Sequence, residues 1–201
     1  MIKKWHKNIL WLIVAGLVIA NLVVWGGRLL KKRNLNNESM HGMGSGVSLV
    51  EPVKLPHFVL KNDNGAVLDS NDLNASLNVL IFFTLEDCPA CLYEAEFWGE
   101  AAQVFSRSDV GFWGITTEKD RNRIQEFISE YQLSFPIFMD KDGKLKEKII
   151  STDTALKMAI ATPFKVFVNR NLEIIRIEGP KKDVEEQKLF LEIISNILSG
   201  K

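Results

Sequence analysis

Hydrophobic residues form one long continuous run near the start of this chain, before any regular alternation with polar residues begins. The run Ile9–Gly27 is apolar except for Asn21, and a helix that crosses a bilayer needs roughly 17–25 such residues. Tryptophans stand near its ends, at Trp5, Trp11 and Trp25, as they do at membrane interfaces. The run therefore predicts a single transmembrane helix.

Basic residues flank both ends of this run, so the positive-inside rule does not fix its orientation. A cleaved signal peptide is the alternative interpretation, although its apolar core usually has only about 7–15 residues. The region that follows is rich in Asn, Gly and Ser and has no apolar period. We expect a cytoplasmic N-terminus at 1–8, an anchor at 9–27, a flexible linker at 28–50 and a folded domain at 51–201.

Beyond the linker, short apolar stretches alternate with segments whose apolar residues recur every three to four positions, which indicates strands and helices respectively. Two short apolar runs on either side of Asn64-Gly65 predict a β-hairpin. Strands are expected at 58–60, 66–68, 78–84, 110–116, 136–139, 164–168 and 173–178, and helices at 88–107, 118–131 and 184–198. This order predicts an α/β fold, with helices packed around a mixed central sheet.

The composition narrows the possible functions. The chain has 201 residues with 25 basic and 25 acidic side chains, whereas nucleic-acid binding requires a basic surplus. Its only cysteines, Cys88 and Cys91, stand too close together to stabilise a fold by closing a loop. No second cysteine pair or histidine pair completes a zinc site. These counts argue against a nucleic-acid partner and a structural metal.

The motif Cys88-Pro89-Ala90-Cys91 follows the apolar run Val79–Phe83 and opens an amphipathic helix. The first cysteine thus stands where unpaired backbone N–H groups and the helix dipole favour a thiolate. The second lies one turn further on and is within reach to close a disulfide. The pattern predicts thiol–disulfide exchange, which needs no cofactor because the cysteines carry the electrons.

In this order the features resemble the thioredoxin-like redoxin domain of membrane-anchored TlpA/ResA-type thiol–disulfide oxidoreductases, over about residues 51–201. The resemblance is carried by the cysteine motif and by segments Pro56–Leu73, Gly114–Ile137, Asp140–Leu145 and Ala161–Phe164. It implies a membrane-tethered enzyme whose domain lies outside the cytoplasmic membrane and acts on protein disulfides or dithiols. Relatives often act there as reductases, for example on apocytochrome c, and such a role requires an electron donor in the membrane.

The resemblance also implies roles for residues around the cysteine pair. Thr162-Pro163 matches the family's cis-proline site, where the proline packs beside the dithiol and Thr162 offers backbone hydrogen bonds to a substrate. Glu94 matches a glutamate thought to relay protons, a role that needs a carboxyl whose pKa is raised by burial. The alternatives are an ordinary proline at a strand start and an exposed helix glutamate. Asp87 and Pro89, which flank Cys88, are assigned to the surface that a partner meets.

The chain departs from this family at Asp87, where relatives usually carry tryptophan before the first cysteine. Together with Glu86, this carboxylate disfavours a thiolate at Cys88 and so raises its pKa. Because the thiolate stabilises the reduced form of oxidising dithiols, we expect a reducing pair that donates electrons. The buried aspartate that plain thioredoxin has six residues before its first cysteine is Phe82 here.

Two other functions are compatible with a cysteine pair. A peroxiredoxin carries Pro-x-x-x-Thr-x-x-Cys, but here Thr84 stands four residues before Cys88, and Val79 and Leu80 stand where the proline would be. A copper-binding assembly factor would hold a soft ion between two thiolates. Such relatives have three residues between their cysteines and a distal histidine, whereas this chain has two between and no histidine after His57.

Overall fold

The structure is a computed structural model that describes residues 47–152, 161–181 and 183–200, with only the backbone described for 47–51. The predicted N-terminal segment 1–8, the anchor 9–27 and most of the linker lie outside these residues. Within the described ranges, no helix is both long enough and apolar enough to cross a membrane.

In the described part of the chain, eight strands form one mixed sheet. The strands are β1 (Val47–Lys54), β2 (Val59–Lys61), β3 (Val67–Asp69), β4 (Leu77–Phe83), β5 (Val110–Thr116), β6 (Ile137–Met139), β7 (Phe164–Asn169) and β8 (Glu173–Glu178). Their order in the sheet is β1-β8-β7-β4-β5-β6-β2-β3. The pairs β4–β5 and β5–β6 are parallel, and the other neighbours are antiparallel.

Four α-helices and one short 3₁₀ turn (Ser70–Asp72) are described around this sheet. The helices are α1 (Pro89–Val104), α2 (Arg121–Glu130), α3 (Lys144–Ser151) and α4 (Val184–Ser199). Side chains cap their first turns: Asp120 accepts a hydrogen bond from Asn122 N at the start of α2, and Asp183 accepts one from Glu186 N at the start of α4. Such caps satisfy backbone N–H groups that have no partner within the helix.

The central strand β4 is buried on both sides, and its alternate residues divide the core into two layers. Leu77, Val79, Ile81 and Phe83 pack in one cluster with residues of α1, α2 and α4. Leu80 and Phe82 pack in the other, with residues of α3 and of the β2–β3 hairpin. Of the described helices, three therefore lie on one face of the sheet and α3 lies on the other, which confirms the predicted α/β fold.

The predicted strands and helices are confirmed to within a few residues, but α3 and β1 were not predicted. The apolar pattern of α3 is too short to indicate a helix, because it consists of two buried residues, Leu145 and Ile149. Its first turn depends on Asp140, whose carboxylate accepts hydrogen bonds from Leu145 N and Lys146 N. Strand β1 pairs with β8 through its backbone and takes in residues 47–50, which were predicted to belong to the linker.

Candidate active site

The two cysteines stand at the junction of β4 and α1. Cys88 is the N-cap of α1 and Pro89 begins the helix, a position that proline favours because it needs no N–H partner there. Cys88 and Cys91 form a disulfide with their Cα atoms 5.3 Å apart. The backbone N–H of Cys91 donates to Cys88 Sγ across 3.2 Å. Cys88 is half-buried and Cys91 is fully buried, so a partner can reach only the first sulfur.

The segment that precedes β7 lies against the first cysteine. The carbonyl oxygen of Thr162 is 3.7 Å from Cys88 Sγ, and the Thr162–Pro163 peptide bond is cis. Pro163 is buried, while Thr162 is half-buried. The ammonium of Lys146 in α3 donates to the Thr162 hydroxyl across 2.9 Å and lies 5.8 Å from the centre of the Phe164 ring. The structure thus places Thr162, and with it the cis bond to Pro163, beside Cys88.

The loop between β4 and Cys88 is held by an arginine from α2. Arg123 donates to the carbonyl oxygen of Leu85 across 3.1 Å and pairs with Glu118 at 2.8 Å and with Glu86 at 3.7 Å. Asp87 is exposed and has a φ of 48°, a left-handed conformation that aspartate tolerates better than most residues. Arg123 was not predicted as a site residue, because no motif near it in the sequence indicates a contact with this loop.

Glu94 belongs to α1, and its side chain lies in the protein interior. Its side chain is fully buried, so the alternative of an exposed helix glutamate is wrong. One carboxylate oxygen accepts a hydrogen bond from Lys181 N at 2.5 Å. The other accepts one from Trp98 Nε1 at 3.2 Å and pairs with the ammonium of Lys165.

Lys165 is the cation that faces Glu94, and it too is fully buried. Its ammonium also donates to the carbonyl oxygen of Gly179 at 3.0 Å. Burial lowers the pKa of Lys165, and the Lys181 ammonium adds to this effect, whereas the carboxylates of Glu94 and Glu178 oppose it. The sequence signal for this residue is a lone lysine within the apolar strand Phe164–Asn169.

Two further ion pairs extend this arrangement. Lys181 Nζ pairs with Glu178 at 2.5 Å, and Arg176 Nε pairs with the other oxygen of the same carboxylate. Lys181 and Glu178 are both buried, while Arg176 is partly exposed. We call Glu94, Lys165, Glu178 and Lys181 the buried charge cluster, with Arg176 at its edge. Among the described residues, no three His, Cys, Asp or Glu side chains are grouped so that they could hold a metal ion.

Comparisons with known proteins place the chain among redox proteins. It matches the family model described as AhpC/TSA family over residues 53–177. The "Putative peroxiredoxin bcp" of Coxiella burnetii is 30% identical over 95 residues, which cover 47% of this chain and 62% of that protein. The chain thus spans about three fifths of the length of this curated relative.

Solved structures confirm the thioredoxin-like α/β fold. A putative thiol:disulfide interchange protein DsbE from Chlorobium tepidum has a TM-score of 0.62 at 15% identity, covering 75% of this chain and 99% of that one. A secreted Mycobacterium tuberculosis disulfide oxidoreductase homologous to E. coli DsbE has a TM-score of 0.52 at 25% identity, covering 72% of this chain and 96% of that one.

Proposed function

Because this chain belongs to the AhpC/TSA family, we propose that it is a thiol–disulfide oxidoreductase that works through Cys88 and Cys91. The observation that carries the proposal is the unequal burial of the two sulfurs at a helix N-terminus. Cys88 is accessible to a partner, and Cys91 is fully buried one turn behind it. Disulfide exchange needs an accessible thiol that attacks the partner and a second thiol that resolves the mixed disulfide, and Cys88 and Cys91 suit these two roles.

In the reducing direction, the Cys88 thiolate attacks one sulfur of a partner disulfide. A mixed disulfide forms, and the other partner sulfur leaves as a thiolate that takes a proton from water. Cys91 then loses its proton and attacks Cys88 Sγ, which releases the second partner thiolate and forms the Cys88–Cys91 disulfide. Two electrons pass from the pair to the partner, and a separate donor must reduce the pair again. The N–H of Cys91, 3.2 Å from Cys88 Sγ, stabilises a thiolate there.

Thr162 and Pro163 border the accessible sulfur and support a role in binding the partner chain. The Thr162 carbonyl, 3.7 Å from Cys88 Sγ, can accept a hydrogen bond from an extended segment that brings its disulfide to Cys88. Lys146 holds the Thr162 side chain. Asp87 and Pro89 are both exposed beside Cys88, so we propose that they contact the same partner.

The family match and the peroxiredoxin relative favour a peroxidase as the second candidate. In that reaction Cys88 would attack a peroxide oxygen. The residues before Cys88 do not support it, because Thr84 lies four positions away and no proline stands at Val79 or Leu80. We therefore place disulfide exchange first.

We further propose a membrane-anchored reductase whose domain lies outside the cytoplasmic membrane and acts on protein disulfides such as those of apocytochrome c. The apolar run Ile9–Gly27 supports the anchor. The secreted mycobacterial oxidoreductase, which is homologous to DsbE, supports the location and the type of partner. The carboxylates of Glu86 and Asp87 next to Cys88 support the reducing direction.

Trapping of mixed disulfides tests this function. In the full chain, Cys91→Ser leaves Cys88 without its resolving thiol, so we expect it to accumulate disulfide-linked partners that dithiothreitol releases. Cys88→Ser is the matched control and should trap none. Trapping by Cys88→Ser alone would reverse the assignment of the two sulfurs. Rapid consumption of hydrogen peroxide by the wild type, with no turnover of a protein disulfide, would instead establish the peroxidase.

A further inference from the structure

We propose that Lys165 is a positioning residue for the cysteine pair: as the counter-ion of Glu94 it sets the charge beneath Cys91 and thereby the pH response of disulfide exchange. The inference rests on the proposed oxidoreductase function and adds to it a residue that touches neither sulfur. It is carried by the geometry of the buried charge cluster.

Lys165 connects the two segments that form the active site. Glu94 follows Cys91 by one turn of α1, and both side chains are fully buried. Lys165 follows Pro163 by two residues and belongs to β7, and its ion pair with Glu94 places it on the sheet face that α1 covers. The ion pair between Lys165 and Glu94 therefore joins the helix of the cysteines to the strand of the cis-proline.

Among the described partners of Glu94, Lys165 is the one that carries a charge of its own. Trp98 Nε1 and the backbone N–H of Lys181 are donors that do not titrate near neutral pH. Burial opposes the ammonium form of Lys165 and lowers its pKa, whereas the carboxylate of Glu94 opposes this effect. Lys165 is therefore the partner whose charge offsets that of the Glu94 carboxylate.

Among the described residues, the charged groups that act on Lys165 are those of the buried charge cluster. Helix α1 contributes Glu94, strand β8 contributes Glu178, and the loop after β8 contributes Lys181. On the neighbouring strand β4, the residue opposite Lys165 is Ile81, which carries no charge. Glu178 is already paired with Lys181 and Arg176. The charge of Glu94 is therefore balanced by Lys165.

The charge of this pair matters in the second step of exchange, when Cys91 must lose its proton. With Lys165 in place, the Lys165–Glu94 pair is neutral overall, so it adds no net negative charge that would disfavour the Cys91 thiolate. Without Lys165, the Glu94 carboxylate is a negative charge one turn from Cys91, and a like charge disfavours the thiolate. Replacing Lys165 should therefore move the second step to higher pH, and removing the Glu94 charge as well should restore it.

Reaction of the reduced full chain with dithionitrobenzoate separates the two steps. Cys88 releases one thionitrobenzoate as it forms a mixed disulfide, and Cys91 releases the second as it closes the Cys88–Cys91 disulfide. For Lys165→Met we expect the pH midpoint of the second phase to rise by about one unit, a roughly tenfold slower phase at neutral pH. The double variant Glu94→Gln/Lys165→Met should return the midpoint to that of the wild type.

Lys181→Met is the matched control, because it removes another buried ammonium of the same cluster but keeps the backbone N–H that binds Glu94. Its midpoint should move less than that of Lys165→Met, because Lys181 acts on Lys165 while its own ammonium pairs with Glu178. An unchanged midpoint in Lys165→Met, or an equal shift in Lys181→Met, would overturn the inference and leave the oxidoreductase function standing. A wild type that releases no second thionitrobenzoate would overturn the function itself.

If Lys165→Met does not fold, the inference can be tested with the wild type. Nuclear magnetic resonance follows the Cε carbon of Lys165 through a pH titration. We expect its titration range to differ between the disulfide and dithiol forms, because coupling between Lys165 and the cysteine pair is reciprocal. One range common to both redox forms would contradict the inference.

Discussion

The backbone conformation at position 87, and not only the charge, favours an aspartate there. Its φ of 48° lies in the left-handed region, where aspartate and asparagine occur more often than other residues with a side chain. The tryptophan that TlpA/ResA-type relatives usually carry there is bulkier and adopts this conformation less readily. The departure from the family at Asp87 therefore goes together with the backbone turn that delivers Cys88 to its helix.

Removing the charge of Asp87 should make the pair less reducing. Asp87→Asn keeps a residue that tolerates the left-handed turn, while the Cys88 thiolate loses a neighbouring negative charge. We expect a lower pKa for the Cys88 thiol and a reduction potential less negative by roughly 5–20 mV, as for an exposed interaction of about 0.2–1 kcal/mol. Redox equilibrium with dithiothreitol measures the potential.

Glu86→Gln is the control for this change, because the guanidinium of Arg123 lies 3.7 Å from Glu86 and already offsets its charge. Its effect on the potential should be smaller than that of Asp87→Asn. A more negative potential in Asp87→Asn would contradict the electrostatic argument, and with it the expectation that the pair donates electrons.

At the level of elements, Arg123 ties the start of α2 to the loop that leads from β4 into α1. It binds the Leu85 carbonyl on one side and the buried carboxylate of Glu118 on the other. That carboxylate also accepts hydrogen bonds from Lys119 N and Asp120 N. The loop before Cys88 is thus held by a side chain from α2, the helix that connects β5 to β6.

Arg123→Met should destabilise the domain, because it leaves the buried Glu118 carboxylate without its cation. We expect the free energy of unfolding to fall by about 1–3 kcal/mol, measured by urea denaturation. Arg121→Met is the matched control, since Arg121 is an exposed arginine in the same turn of α2, and its effect should stay within about 0.5 kcal/mol. Equal losses in the two variants would show that the contact with Glu118 contributes nothing.

At the level of the whole molecule, the sheet order explains why distant segments meet at the cysteines. Strands β4 and β7 are antiparallel neighbours, with Phe82 opposite Phe164. The last residue of β4 and the first residue of β7 therefore lie at the same end of the two strands. Cys88 and Thr162, which are 74 residues apart in the chain, meet at this end of the sheet.

The location of this domain outside the cytoplasm remains a prediction, and reporters fused after Lys201 test it. An alkaline phosphatase, which is active only outside the cytoplasm, should be active in the fusion, and the fusion should sediment with membranes. Deleting residues 1–33 is the control and should abolish both results, because it removes the apolar run. Phosphatase that is inactive, with a fluorescent reporter active in the cytoplasm, would contradict the proposed orientation.

Sequence alone was enough to predict the features that depend on neighbouring residues. The apolar run Val79–Phe83 predicts a buried strand, and Cys88-Pro89-Ala90-Cys91 predicts a reactive pair at the start of a helix, because both patterns are local. The position of Glu94 relative to Cys91 follows from the helix turn between them. The hairpin around Asn64-Gly65 is predicted in the same way.

Only the tertiary structure decided which residues far apart in the sequence meet. The partners of Glu94 come from β7 and from the loop after β8, and Arg123 reaches the loop before Cys88 from α2. The sequence shows a lone lysine in an apolar strand at Lys165, but not the carboxylate that faces it. Such contacts depend on strand order and register, which arise from packing across the sheet, and local patterns do not encode them.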